Sequence, residues 1–134
     1  MPQVFNHLMA TGRRKTSIAQ VRLVPGGKGQ VTVNKKSLDE FFGGQDRQKT
    51  SVTEPLKLVE GSQKFDFVLK IVGGGITGQA EAARLAIAKA MVKLDSKNRK
   101  VMRAHGFLTR DPRMVERKKS GQPKARKRFQ YSKR

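Results

Sequence analysis

Residues 64–94 read KFDFVLKIVGGGITGQAEAARLAIAKAMVKL, and the fold class turns on them. Phe65, Phe67, Leu69 and Ile71 alternate with Asp66, Val68 and Lys70, the two-residue period of a strand with one buried face. Gly73, Gly74 and Gly75 end that strand. From Gly78 to Leu94 the period lengthens to 3.6, with Ala80, Ala83, Ile87, Ala90, Met91 and Leu94 on one side of a helix and Glu81, Arg84, Lys89 and Lys93 elsewhere. The alanines suit close packing on a sheet, so the pair predicts an α+β class.

Working outward, Ala19, Val21 and Leu23 alternate with Gln20 and Arg22, the turn formers Pro25 to Gly29 follow, and Val31 and Val33 alternate with Thr32 and Asn34. That pattern reads as a β-hairpin. Val4 to Thr11 is a weaker strand candidate, joined to the next strand, near Thr16, through a basic turn, Gly12-Arg13-Arg14-Lys15. Ser37-Leu38-Asp39-Glu40 has the spacing of a capping box and opens a short helix that Gly43-Gly44 closes. Asp46 to Val59 reads as irregular or briefly helical. A second short helix is expected over Asn98 to His105, ending at Gly106.

The chain has 134 residues, one domain's worth, and 36% hydrophobic residues plus 13 glycines are enough for a core. Its charge is far from ordinary: 30 Lys and Arg against 10 Asp and Glu give a formal +20. A polyanion is the partner this balance calls for. The excess is uneven. Residues 1–111 carry 20 basic and 9 acidic side chains and are read as a globular nucleic-acid-binding domain, whereas residues 112–134 carry 10 and 1. That tail has only Met114, Val115, Ala125, Phe129 and Tyr131 as apolar groups, too few to offset the entropy of ordering it alone. It reads as an extended basic C-terminal arm that orders against a partner. A helix at its start, Arg113 to Lys119, is compatible with the pattern, and Gly121 and Pro123 would end it.

Several classes of chemistry drop out. With no cysteine and only His7 and His105, neither a thiolate zinc site nor a Cys/His nucleophile pair can form. No apolar run reaches the roughly 18 residues of a transmembrane helix, and residues 1–11 lack a secretory signal's charged start and apolar stretch. Gly73-x-Gly75-x-x-Gly78 sits between strand and helix, as a dinucleotide fingerprint does, but no strand follows the helix to carry an acidic residue to a ribose. Gln79 and Ala80 stand where a phosphate loop needs Lys and Ser or Thr. These glycines are read as turning the chain or letting backbones approach closely. Asp39 and Glu40, adjacent on a helix, point to different sides and complement a helix dipole rather than form an acid and base pair. No enzyme, cofactor or metal is expected.

Nucleic-acid binding is what the charge supports, because each Lys or Arg on a phosphate releases counterions. Arg13, Arg14 and Lys15, placed in a tight turn, suit a defined RNA contact, against the plainer reading of a solvated loop. In the arm, aromatic residues interleave with guanidinium groups that fork onto phosphates. Composition by itself stops at a basic RNA- or DNA-binding protein. A free nucleic-acid chaperone shares these features and remains the alternative.

Four segments carry a resemblance further: TGRRKTSIAQVRLVPGGKGQVTVNKKSLDEFF at 11–42, GGGITGQAEAARLAIAKA at 73–90, GFLTRDPRMVERKK at 106–119, and the terminal SKR. In this order and spacing they resemble the family of the ninth small-subunit ribosomal protein, in its bacterial or organellar form. The resemblance implies a four-stranded sheet covered by helices on one side, with a left-handed crossover. It further implies a structural protein of the small subunit's head, bound to ribosomal RNA beside neighbouring head proteins, on a cytoplasmic or organellar ribosome, with its tail reaching the transfer RNA of the peptidyl site. Carried over to these positions, Arg13, Arg14, Lys15, Arg110 and Arg113 face ribosomal RNA from the domain. Arg117, Lys118, Lys119, Lys124, Arg126 and Lys127 hold its phosphates from the arm, and Arg128, Lys133 and Arg134 meet the transfer RNA. Phe129 stands where many members have a proline nearby, so the path of the arm is left open.

Overall fold

The computed structural model describes residues 9–59, 61–128 and 130. Its centre is the strand and helix foreseen from residues 64–94. Strand β5 (Phe65–Val72) buries Phe67, Leu69 and Ile71, and the helix starts slightly earlier than its period suggests, at Ile76, running to Leu94. The other strands are β1 (Met9–Arg14), β2 (Ser17–Pro25), β3 (Val31–Val33) and the two-residue β4 (Lys36–Ser37). The helices are α1 (Leu38–Phe42), α2 (Asp46–Leu58), α3 (Ile76–Leu94) and α4 (Asn98–Ala104). The class is α+β, with five strands rather than four, ordered β1-β2-β5-β3-β4.

That order corrects the hairpin reading of Ala19 to Val33. β2 and β3 are not neighbours: β5 lies between them, antiparallel to β2 and parallel to β3. The glycine-rich link does not turn back but passes the start of β5, where the Gly27 amide donates to the Lys64 carbonyl at 3.1 Å and Asp66 Oδ1 accepts from the Lys28 and Gln30 amides at 2.9 and 3.1 Å. A side chain on Gly27 would collide with Asp66. The true tight hairpin joins β3 to β4 through Asn34 and Lys35, both at positive φ (49° and 68°), as a type I′ turn requires. The Asn34 side chain also exchanges two hydrogen bonds with the Ile71 peptide, extending the β3 pairing by one side-chain step.

α3 is buried on nearly all sides because the sheet lies under it and α2 and α4 lie beside it. Small residues set its approach to β1: a Cβ on Gly12 would fall inside contact distance of the Ala82 carbonyl oxygen. Gly12 is therefore a strand residue and not part of the basic turn. The turn is only Lys15-Thr16, with Arg14 opposite Ser17. The capping box holds in its first half, since Ser37 Oγ accepts from the Glu40 amide at 3.2 Å, and Gly43 closes α1 at φ 56°.

Asp46 to Val59, read as irregular or briefly helical, is a 13-residue helix. Its run of Thr, Ser, Thr and Pro55 has low helix propensity, and packing of Val52 and Pro55 under cover overrides it. The reverse holds for Arg113 to Lys119, which forms no helix and is exposed. The tail does not run straight either. It turns at Ser120-Gly121, and Arg126 returns to pair with Glu116 at 2.9 Å.

Candidate nucleic-acid interface

The end of β1, the first turns of α3 and the segment after Gly106 enclose a crevice of about 150 Å³. Arg13, Arg14, Arg84, Arg110 and Arg113 line it, with Glu81 and Asp111 as its carboxylates. Strand alternation separates two sequence neighbours here. Arg13 points out and is exposed, while Arg14 points to the helix side and its residue is 8% exposed. All three guanidinium nitrogens of Arg14 are engaged: Nε on Glu81, Nη1 on the Arg113 carbonyl at 3.0 Å, and Nη2 near Asp111 Oδ2 at 3.3 Å. Arg14 thus ties the sheet, α3 and the root of the tail together, and has no donor nitrogen left over.

Asp111 completes this clasp. It accepts from the Arg113 backbone amide at 3.0 Å and from Nη2 of the same residue at 2.7 Å. The Arg113 hydrogen bonds, helped by the charge of Arg14, hold the Asp111 carboxyl far below the usual carboxylate range. The same pairing pushes Arg113 up. Arg84 spans from Glu54 (3.6 Å) to the ring of Phe107 (5.3 Å to its centroid), and Phe107 stacks on His105. Among the described residues, Arg13 and Arg110 stand at the crevice without an ion-pair partner. They are its available cations.

Farther along, Lys118, Lys124, Lys127 and Arg128 are exposed, Arg117 is exposed with Nη1 on the Lys118 carbonyl, and Glu116 gathers Arg126 and Lys119. Arg126 and then Lys119 lower the Glu116 carboxyl. Lys15 is exposed at the tip of the β1-β2 turn. His7, Phe129, Tyr131, Lys133 and Arg134 lie outside the described residues. The structure brings Arg13, Arg14, Arg110 and Arg113 to one place, with Lys15 at the adjoining turn, but among the described residues it does not gather the tail's cations from Arg117 onward with them.

Sequence reasoning passed over Glu81 and Asp111, the carboxylates that organise the crevice. Asp111 offered a signal, a lone acid inside Thr109-Arg110-Asp111-Pro112-Arg113. Glu81 offered none beyond its place on the charged side of α3. Close packing on Thr16 and Ser17 accounts for Gly73, Gly74 and Gly78, while a Cβ on Gly75 would meet nothing. Gly73 and Gly74 have φ of 75° and 69°, the Ser17 hydroxyl donates to the Gly73 carbonyl at 3.1 Å, and a side chain on Gly74 would strike that hydroxyl.

A family described as ribosomal protein S9/S16 matches residues 12–134 of this chain. The chain belongs to that family. Members of the S9 family are ribosomal proteins, not enzymes. The chain is 52% identical over 127 residues to the small ribosomal subunit protein uS9 of Methylacidiphilum infernorum, covering 95% of this chain and 92% of that one. It is 54% identical over 123 residues to uS9 of Christiangramia forsetii, covering 92% and 94%. With uS9 of Bacteroides thetaiotaomicron the figure is 50% over 125 residues, covering 93% and 96%. The S9 assignment bears out the resemblance drawn from the four motifs. No helix among the described residues is long and apolar enough to cross a membrane.

Proposed function

We propose that this chain is a structural constituent of the small ribosomal subunit, working in the cytoplasm on the ribosome, where it binds ribosomal RNA and steadies the transfer RNA of the peptidyl site. The observation that carries the reading is the S9 match from residue 12 to the last residue, with relatives of similar length named as small-subunit proteins. The charge of +20 supports it, as does a crevice whose cations outnumber its carboxylates.

In this reading residues 1–111 dock on folded RNA beside neighbouring head proteins, with Arg13, Lys15, Arg110 and Arg113 at phosphates. Arg14 serves as the positioning residue that fixes where residues 112–134 leave the domain. The tail's Arg117, Lys118, Lys119, Lys124, Arg126 and Lys127 exchange their own carboxylate or solvent for RNA phosphates. Arg128, Lys133 and Arg134 meet the transfer RNA backbone. Phosphate contacts fix position and carry no sequence information, so any transfer RNA in the site is held alike.

The test is sedimentation of a native cell extract at high salt. One copy of the chain retained per small subunit supports integral residence, because peripheral electrostatic binders are stripped by that salt. Release into the light fractions sinks the reading in favour of a free RNA chaperone. Removing Lys133 and Arg134 then tests the arm: weaker retention of peptidyl-site transfer RNA with assembly intact is expected, and unchanged retention and reading-frame fidelity refute it.

A further inference from the structure

The helices cover one face of the sheet, and among the described residues nothing packs on the other. Cross-strand register places Met9, Arg22 and Val68 in one row of that open face, Thr11, Gln20 and Lys70 in the next, and Arg13, Ile18 and Val72 in a third. Met9 and Val72 are 54% and 50% exposed, large values for apolar side chains at strand positions. A hollow of about 210 Å³ runs past Met9, Gln20, Arg22, Val68 and Lys70.

Charge decides what covers this face. β1, β2 and β5 together contain one acidic residue, Asp66, at the face's edge, and its Oδ1 is taken by the Lys28 and Gln30 amides. The other described carboxylates sit on helices, at a helix end, in the tail or, for Asp111, in the clasp with Arg14 and Arg113, so Arg13, Arg22 and Lys70 have no ion-pair partner among the described residues. A protein partner carrying ordinary mixed charge has no complement to three unopposed cations, whereas a phosphate backbone does. Among the described residues the face carries no aromatic ring, which argues against stacking of splayed single-stranded bases. Aliphatic and amide side chains between cations suit instead the shallow minor groove of an RNA helix, with its sugars and 2′-hydroxyls.

We infer that the open sheet face is a second RNA-binding surface, continuous through Arg13 with the crevice, on which Arg22 and Lys70 contact the phosphates of a double-helical segment. This rests on the RNA-binding reading above and adds residues that the sequence motifs do not single out.

The experiment measures binding of the full chain to a transcript of small-subunit ribosomal RNA across a salt series, for the wild type, the charge-removing pair Arg22→Gln/Lys70→Gln and the charge-keeping pair Arg22→Lys/Lys70→Arg. It also follows the reactivity of Lys70 toward an amine-modifying reagent with and without the RNA. The expected result is a salt slope shallower by about 2 in the Gln pair, restored in the charge-keeping pair, and Lys70 protected by RNA. If the wild type binds with a steep slope, the Gln pair matches it and Lys70 stays reactive, the sheet-face inference falls while the function stands. A wild type that does not bind the RNA overturns both. Protection of Lys70 that grows with protein concentration in the absence of RNA overturns the inference in favour of a second copy on this face.

Discussion

At the scale of single residues, Arg14 and Arg13 show how one step along a strand changes the work a cation does. Arg14 spends its donors inside the molecule, so Arg14→Leu should destabilise the fold by about 1 to 3 kcal/mol, measured by chemical denaturation. That is less than for a fully buried pair, because the Glu81 and Asp111 side chains are 30% and 31% exposed and can rehydrate. Arg13→Leu should leave stability almost unchanged and weaken RNA binding. Asp111 adds a pH signature. Its carboxyl is held below its unfolded value of about 4, so its contribution is fully present above that value and is lost as pH falls below it. The melting temperatures of wild type and Asp111→Asn should therefore differ at neutral pH and draw together below about pH 4. A gap that stays constant down to pH 3 would show that the clasp is not what the carboxylate supports. Gly12 makes the third case: Gly12→Ala forces β1 and α3 apart at the Ala82 carbonyl, at a cost of about 1 to 3 kcal/mol by thermal unfolding.

At the scale of elements, legibility in the sequence followed the strength of local signals. β5 and α3 were readable because each shows a single unbroken period. α1 was readable from its cap, and Ser37→Ala should lower stability by about 0.5 to 1 kcal/mol, seen as a small drop in melting temperature. No change would mean that the cap is replaced by solvent. α2 was not readable, since Thr50, Ser51, Thr53 and Pro55 argue locally against a helix that only its neighbours stabilise. The β2-β3 hairpin was misread for a related reason: a glycine-rich link looks the same whether the next strand pairs back or leaves room for another. The basic cluster at Arg13 to Lys15 was found as a cluster, but its division into outward and inward members needed the register with Ile18 and Ser17. Glu81 and Asp111 lie 30 residues apart in sequence, and nothing local joins them.

At the scale of the whole molecule, the described acidic side chains gather on the helices, in the crevice and in the tail, with Asp66 alone at the sheet's edge, and the outer face of the sheet is left cationic. RNA affinity should consequently fall steeply with salt, by about 10³ to 10⁵ between 50 and 200 mM if 6 to 10 phosphates are contacted. A shallow dependence would point to few phosphate contacts and a mainly apolar interface. The strand order has a separate consequence, for the life of the chain before it meets any RNA. A growing chain makes β2 and β3 early, yet the strand that joins them is completed only at Val72, just past the middle of the sequence. Until then β1-β2 and β3-β4 are two small hairpins with bare edges and no shared core, a form that is marginal in water and open to pairing with other chains. Synthesis paused before Phe65 should leave the nascent protein protease-sensitive and prone to aggregate, and release past Leu94, when α3 can cover the sheet, should end that exposure.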